Sequence, residues 1–244
     1  MSVSTTIVTC VEAGGLEAQV LLLAESLRAF GGAWSKTDFV AVKPRRGPGL
    51  KPITISEFRR LNVGFIDEPF NSKFDWWNNA NKSAVMSALE TRVSTPHITW
   101  LDGDMIVLQP LGDLIPPPGC QFIARAGEGY LGSDGADANA AYWNKLCELV
   151  GIDFSAFPNI VSFPDRRGIR AYWQSGIYAY ATSTRLGAAH FEIISGWPAR
   201  AKVWLQPSLP RGMAVSAQRA PLAPTRHTAS GKENKVARGT SQSP

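Results

Sequence analysis

Short apolar runs rich in β-branched residues alternate with longer segments of helical periodicity along the first hundred residues of this chain. The strand-like runs lie at 5–11, 38–44, 63–70 and 97–108, and the helical segments between them at 16–30, 56–61 and 78–93. Strands that are separated by helices are usually joined by crossover connections, which make neighbouring strands parallel and cover the sheet with helices. The sequence therefore predicts an α/β fold, with a Rossmann-like, mostly parallel sheet flanked by helices.

The fourth strand-like run, HITWLDGDMIVL, carries Asp102 and Asp104 on either side of Gly103. In parallel sheets ligands bind at the carboxyl ends of strands, and this pair lies where the strand leaves the sheet. Carboxylates two residues apart can face the same side of a strand. Mg²⁺ or Mn²⁺ is often held by such carboxylate oxygens together with the oxygens of a substrate phosphate. The glycine between the two aspartates would let a phosphate approach the backbone. A simple polar turn is the alternative. The position after a buried strand favours a metal site.

Two segments resemble GT-A type nucleotide-sugar glycosyltransferases, particularly the retaining group that includes glycogenin and the bacterial lipopolysaccharide galactosyltransferases. NKSAVMSALETRVSTPHITWLDGDMIVLQPL, at 81–111, resembles the family's lysine-bearing helix, apolar strand and Asp-X-Asp. YWQSGIYAYATS, at 172–183, is similar to the family's strand with Asn-Ser-Gly or Asn-Ala-Gly. The resemblance covers roughly residues 5–195. It implies metal-dependent transfer of a sugar from a nucleoside-diphosphate sugar, usually a UDP-sugar, to a hydroxyl acceptor.

The resemblance also implies roles for individual residues, although it identifies no catalytic residue. Asp102 and Asp104 would hold Mn²⁺ or Mg²⁺ against the donor diphosphate, with Asp102 also near the ribose, and Lys82 would meet the donor phosphate or sugar. The other implied donor-binding residues are Thr9, Cys10 and Val11 along the nucleoside, and Gln174, Ser175 and Gly176 beside the transferred sugar, with Gln174 in place of the usual Asn.

After Gly196 the chain departs from the family pattern. Family members continue with an acidic segment beside the transferred sugar and then a histidine that supplies a third protein ligand to the metal. Neither is found here, and His97, His190 and His227 do not occupy the histidine's place. Either the reading frame is cut or shifted after about residue 196, or the protein keeps a donor pocket without the acceptor half. A catalytically silent nucleotide-sugar-binding protein, or a truncated remnant, is therefore the alternative function.

Two other enzyme classes fit less well. Phosphatases of the haloacid dehalogenase type also run an apolar strand into Asp-X-Asp, but they place it near the N-terminus and follow it with Thr or Val, where this chain has Met105. A Rossmann dehydrogenase needs Gly-x-Gly-x-x-Gly after its first strand, and the sequence EAGGLEAQ lacks it. Both remain weaker alternatives to the glycosyltransferase.

Charge separates the end of the chain from its body. Residues 197–244 carry eight Lys and Arg and one acid, whereas residues 1–196 carry 17 basic and 19 acidic side chains. Residues 197–244 are rich in Pro, Ser and Ala and have no apolar period, so they are predicted to be a basic disordered tail after a single domain at 1–196. No specific nucleic-acid partner is predicted for this tail.

No apolar stretch of about 18 residues predicts a membrane span. Three scattered cysteines and no signal peptide predict a cytoplasmic location.

Overall fold

The computed structural model describes residues 4–163 and 165–201. The strands are β1 Thr5–Cys10, β2 Asp38–Lys43, β3 Val63–Asp67, β4 His97–Leu101, β5 Phe122–Ala126, β6 Asn159–Val161, β7 Gly168–Arg170 and β8 Trp173–Ala181. The helices are α1 Gly15–Phe30, α2 Pro52–Arg60, α3 Ala80–Leu89, α4 Ala140–Val150 and α5 Leu186–Ala201. Over the described part of the chain, no helix has the length and apolarity that crossing a membrane requires. Residues 197–201, the first five of the predicted tail, form the end of α5, and the rest of the predicted tail lies outside the described residues from residue 202 onward.

Six strands form the main sheet in the order β3-β2-β1-β4-β8-β5. The first four strands in the chain pair in parallel, whereas β8 runs antiparallel to both β4 and β5. The short strands β6 and β7 form a separate antiparallel ribbon. The mostly parallel sheet confirms the predicted fold class. Because the chain leaves β1 toward β2 and β3 and then returns to place β4 on the other side, a topological switch point lies between β1 and β4.

Both faces of the sheet are buried. Ile7 and Val8 are adjacent on β1 and have no exposed surface, so their side chains point into different cores. Ile7 belongs to the core that includes Leu23 of α1, whereas Val8 belongs to the core that includes Met86 of α3. Burial on both faces is typical of parallel sheets and explains why β1 is a continuous apolar run.

Helix α5 is joined to α3 by a close backbone contact and a buried carboxylate. A Cβ on Gly187 would lie 2.5 Å from the carbonyl carbon of Met86. The buried Glu90 side chain accepts hydrogen bonds from the backbone N–H groups of Gly187, at 2.9 Å, and Ala188, at 3.1 Å. It also accepts one from the Tyr180 hydroxyl at 3.2 Å. Glu90 therefore satisfies amides in the first turn of α5 and connects that turn to β8.

Several predicted boundaries differ from the structure, among them those of α2, β3, α3 and β4. Helix α2 begins at Pro52 and not at Ser56, because proline is well suited to the first helical position. Strand β4 ends at Leu101, so the predicted strand over 97–108 was too long. Beyond the aspartates the chain leaves the sheet, and the Val107 N–H bonds to Ser26 Oγ of α1 at 3.0 Å.

Candidate functional site

The polar residues of the predicted site meet at the carboxyl end of β4, beside the switch point. Asp102 directly follows β4, and its N–H donates to the Gly176 carbonyl at 2.9 Å. Because β8 is antiparallel to β4, its first residues lie at this same edge of the sheet. Lys82 reaches the edge from the first turn of α3. The structure thus brings together Lys82, Asp102 and the segment 174–176, which are far apart in the sequence.

The Asp102 carboxylate is held on one side and open on the other. The Trp100 indole N–H donates to Oδ1 at 2.6 Å, and residues two apart at a strand end can face the same side. Oδ2 accepts no hydrogen bond from any described residue. A Cβ on Gly176 would lie 3.1 Å from Oδ2, so glycine leaves this oxygen uncovered. Asp102 therefore presents a fixed carboxylate with one accessible oxygen.

Asp104 lies on the rim of the same site. It is exposed, and its carboxylate forms no hydrogen bond or ion pair with the described residues. The turn between the aspartates is closed by the Met105 N–H, which bonds to the Asp102 carbonyl at 3.1 Å. A Cβ on Gly103 would lie 2.7 Å from Val20 Cγ2 of α1. The packing of α1 against the turn therefore explains the glycine at 103. The sequence had suggested a different role for it, the approach of a diphosphate to the backbone.

Lys82 makes three contacts within this cluster. Its ammonium lies 2.8 Å from Asp102 Oδ1 and donates to the Ser175 carbonyl at 2.5 Å. It also lies 5.2 Å from the centre of the Trp100 ring, within the range of a cation–π contact. The side chain is 18% exposed, so its positive charge is placed inside the site and not on an outer helix face.

The end of β1 contributes less surface than expected. Thr9 and Val11 have no exposed area, and the Val11 N–H bonds to the Val42 carbonyl at 2.9 Å. Their side chains therefore belong to the core and cannot contact a nucleotide in this structure. Only Cys10 is partly exposed. Desolvation raises the pKa of its thiol, and the nearby Lys82 charge only partly opposes this, so the thiol is neutral at physiological pH.

A network around Glu12 was missed by the sequence analysis. Arg45 Nε and Nη2 each donate to the Glu12 carboxylate at 2.5 Å, and Asn81 Nδ2 donates to it at 3.0 Å. The bidentate bond from Arg45 lowers the pKa of Glu12. Glu12 and Arg45 each follow a predicted parallel strand, so their meeting at the carboxyl edge could have been expected. Asn81 immediately precedes Lys82, and the network thus anchors the start of α3 beside β1.

A second missed residue is Glu128, which lies just beyond β5. The Gln174 side-chain amide donates a hydrogen bond to the Glu128 carboxylate. Ser175, the next residue on β8, is exposed. No pattern in the sequence predicted β5, so nothing placed Glu128 at the edge of the sheet.

An aromatic pair stands on the loop before α3. The rings of Trp76 and Trp77 stack with centroids 6.0 Å apart, and Trp76 is 74% exposed. The Asp75 carbonyl accepts a hydrogen bond from Arg45 Nη1 at 2.7 Å, so the loop is tied to the Glu12 network. An exposed aromatic face therefore lies on a segment that is fastened to the site.

The donor set fits a hard divalent cation with few protein ligands. Asp102 Oδ2 and the Asp104 carboxylate have no partner among the described residues. Mg²⁺ and Mn²⁺ are commonly held by one or two carboxylates plus phosphate and water. Nowhere in the described ranges do three His, Cys, Asp or Glu side chains lie close enough to form a metal site by themselves. A cation bound here would complete its coordination with water or with a ligand such as a diphosphate.

The fold is similar to that of solved glycosyltransferase structures. An active-site mutant of LgtC aligns with a TM-score of 0.55 and 14% identity, over 83% of this chain and 66% of that one. The galactosyltransferase LgtC in complex with donor and acceptor sugar analogues aligns with a TM-score of 0.51 and 14% identity, over 82% of this chain and 66% of that one. This chain thus spans just under two thirds of their length. At this identity the likeness shows the fold, which is GT-A.

Residues 7–204 match the family described as the Rhodobacterales glycosyltransferase domain. Among curated proteins, none matches this sequence. The family match covers most of the chain and sets aside the phosphatase and dehydrogenase alternatives. The chain therefore belongs to the Rhodobacterales glycosyltransferase domain family.

Proposed function

We propose that this protein is a metal-dependent glycosyltransferase that moves a sugar from a UDP-sugar to a hydroxyl acceptor. The observation that carries this proposal is the pair Asp102 and Asp104 at the switch point, with Lys82 and the side-chain-free Gly176 beside Asp102. Membership of a glycosyltransferase family supports the reaction class. Carboxylates, an ammonium and an uncovered backbone together suit a diphosphate joined to a sugar.

The two aspartates would hold Mn²⁺ or Mg²⁺. When bound, the cation would neutralise the charge that develops on the leaving diphosphate. Lys82 would add a second positive charge to the diphosphate. Cys10 would lie along the nucleoside, and its neutral thiol acts as a packing group and not as a nucleophile.

The sugar would lie over Gly176. Gln174 and Glu128 offer an amide and a carboxylate that can bind sugar hydroxyls, and exposed Ser175 adds a further hydroxyl. In the transfer, the bond between the anomeric carbon and the diphosphate oxygen breaks, and the diphosphate keeps the electron pair. A bond forms between that carbon and the acceptor oxygen, which releases its proton. The exposed face of Trp76 is suited to stacking against an acceptor sugar.

Calorimetric titration of the full chain with UDP, with and without Mn²⁺, tests the donor site. We expect UDP binding to require Mn²⁺ and to weaken at least about tenfold in Asp102→Asn/Asp104→Asn, because the two carboxylates would hold the cation. The control Glu25→Gln/Glu148→Gln removes two exposed carboxylates on α1 and α4 and should bind like the wild type.

A folded wild-type chain that shows no Mn²⁺-dependent UDP binding would contradict this function. Metal-dependent binding without release of UDP from any UDP-sugar, tested with a panel of sugar acceptors, would instead support the silent nucleotide-sugar-binding alternative.

A further inference from the structure

Lys82 and a divalent cation would compete for the same carboxylate. We propose that Lys82 is a built-in counter-ion that keeps divalent cations off Asp102 until a diphosphate arrives, so that cation and nucleoside diphosphate bind cooperatively. This inference rests on the proposed donor site and adds to it an order of events. It follows from the contacts around Asp102 and from the electrostatics of placing two cations at one carboxylate.

Asp102 Oδ1 already has two close polar partners. It lies 2.8 Å from the Lys82 ammonium in an ion pair and accepts the Trp100 indole N–H at 2.6 Å. A metal ion at Oδ1 would have to displace one of these groups or lie directly beside the Lys82 charge. Oδ2, the oxygen that Gly176 leaves uncovered, has no such partner among the described residues. A cation that arrives alone therefore meets half of the Asp102 carboxylate.

The charge of Lys82 also opposes a second cation. The Lys82 side chain is 18% exposed and the Asp102 side chain 36% exposed, so solvent screens their charges less than it would screen those of two fully exposed groups. Like charges a few ångströms apart in such a site repel each other strongly. Asp104, which carries no counter-ion among the described residues, is then the main anchor for a cation that arrives alone. Binding of the cation by itself is accordingly weak.

A diphosphate would remove this competition. Lys82 carries its ammonium on a flexible stem with three rotatable donors, and one of its present bonds goes to the Ser175 carbonyl, at the proposed sugar position. Phosphate oxygens placed there can replace Asp102 as the partner of Lys82 and can also complete the shell of the cation. Each ligand then strengthens the binding of the other, and the coupling is equal in both directions.

The test measures Mn²⁺ binding by the electron paramagnetic resonance signal of free Mn²⁺, with and without UDP. In wild type we expect UDP to raise the affinity for Mn²⁺ by about tenfold or more. In Lys82→Met, Mn²⁺ alone should bind about tenfold tighter than in wild type, and most of the coupling to UDP should disappear. Lys82→Arg, which keeps the charge, should keep weak binding of Mn²⁺ alone.

The matched control is Lys145→Met, which removes an exposed lysine paired with Glu148 on α4 and should behave like wild type. The proposal is overturned if Lys82→Met binds Mn²⁺ alone no more tightly than wild type. If wild type still binds UDP in the presence of Mn²⁺, this result for Lys82→Met overturns the counter-ion role alone and does not contradict the proposed donor site. Conversely, Lys82→Met can be compared with the double variant that also carries Asp102→Asn. If Lys82→Met binds Mn²⁺ more tightly than wild type and the added Asp102→Asn removes that gain, the counter-ion role of Lys82 is supported even when no UDP binding is found.

Discussion

At Gly176 the backbone passes beside the open oxygen of Asp102, because a Cβ there would lie 3.1 Å from Oδ2. We predict that Gly176→Ala weakens Mn²⁺-dependent UDP binding about tenfold, equivalent to about 1.4 kcal/mol, since the methyl group would cover that oxygen. Stability should change by less than about 1 kcal/mol, because the contact is with a carboxylate at the site and not with the core. Gly168→Ala on β7, where no atom lies within 4 Å of the added Cβ, is the control for titration calorimetry and urea unfolding. Unchanged UDP binding in Gly176→Ala would show that Oδ2 is not part of the donor site.

At the scale of elements, the contact between α3 and α5 depends on Glu90. Its side chain is fully buried and accepts hydrogen bonds from the Gly187 N–H and the Tyr180 hydroxyl. We predict that Glu90→Ala lowers the free energy of unfolding by about 3 kcal/mol, because buried amides in the first turn of α5 lose their acceptor. Urea unfolding followed by circular dichroism measures this. The comparison variant, Glu148→Ala, removes an exposed carboxylate in an i,i+3 pair on α4 and should cost less than about 0.5 kcal/mol. Equal costs for the two variants would refute the role given to Glu90.

For the whole molecule, carboxylates that accept hydrogen bonds in the folded state predict a loss of stability in acid. Hydrogen bonding by Arg45 lowers the pKa of Glu12 below its usual value of 4.5. Burial opposes the charge of Glu17, but hydrogen bonds from the Gly14 N–H, Thr54 and the Lys51 N–H outweigh it and lower its pKa as well. With folded pKa values below the unfolded ones, their contribution is complete above the unfolded value and is lost as the pH falls through the folded values. We therefore expect a smaller free energy of unfolding at pH about 4 than at pH about 7, and a smaller difference in Glu17→Gln. Urea titrations at both pH values test this, and exposed Glu25→Gln on α1 is the control. A difference that Glu17→Gln leaves unchanged would contradict the assignment.

The sequence by itself determined the class of fold and the position of its most informative acids. Each strand of β1 to β4 is a local apolar run, and each intervening helix has a local period, so their order could be read without knowing any long-range contact. Because ligands gather at the carboxyl ends of parallel strands, Asp102 and Asp104 were recognisable as a candidate site from their place after the fourth run. The resemblance added Lys82 and the segment 174–176 to the same site.

Only the tertiary structure decided which side chains meet there and which are hidden. The insertion of antiparallel β8 between β4 and β5 brings Ser175 to Lys82 across 93 residues and Gln174 to Glu128 across 46, and such pairings leave no local pattern. Thr9 and Val11 are withdrawn from the site because β1 is covered on both faces, which depends on packing and not on the strand's own sequence. The sequence could place Asp102 at a ligand edge, but that Lys82 already occupies one of its oxygens is a property of the folded chain alone.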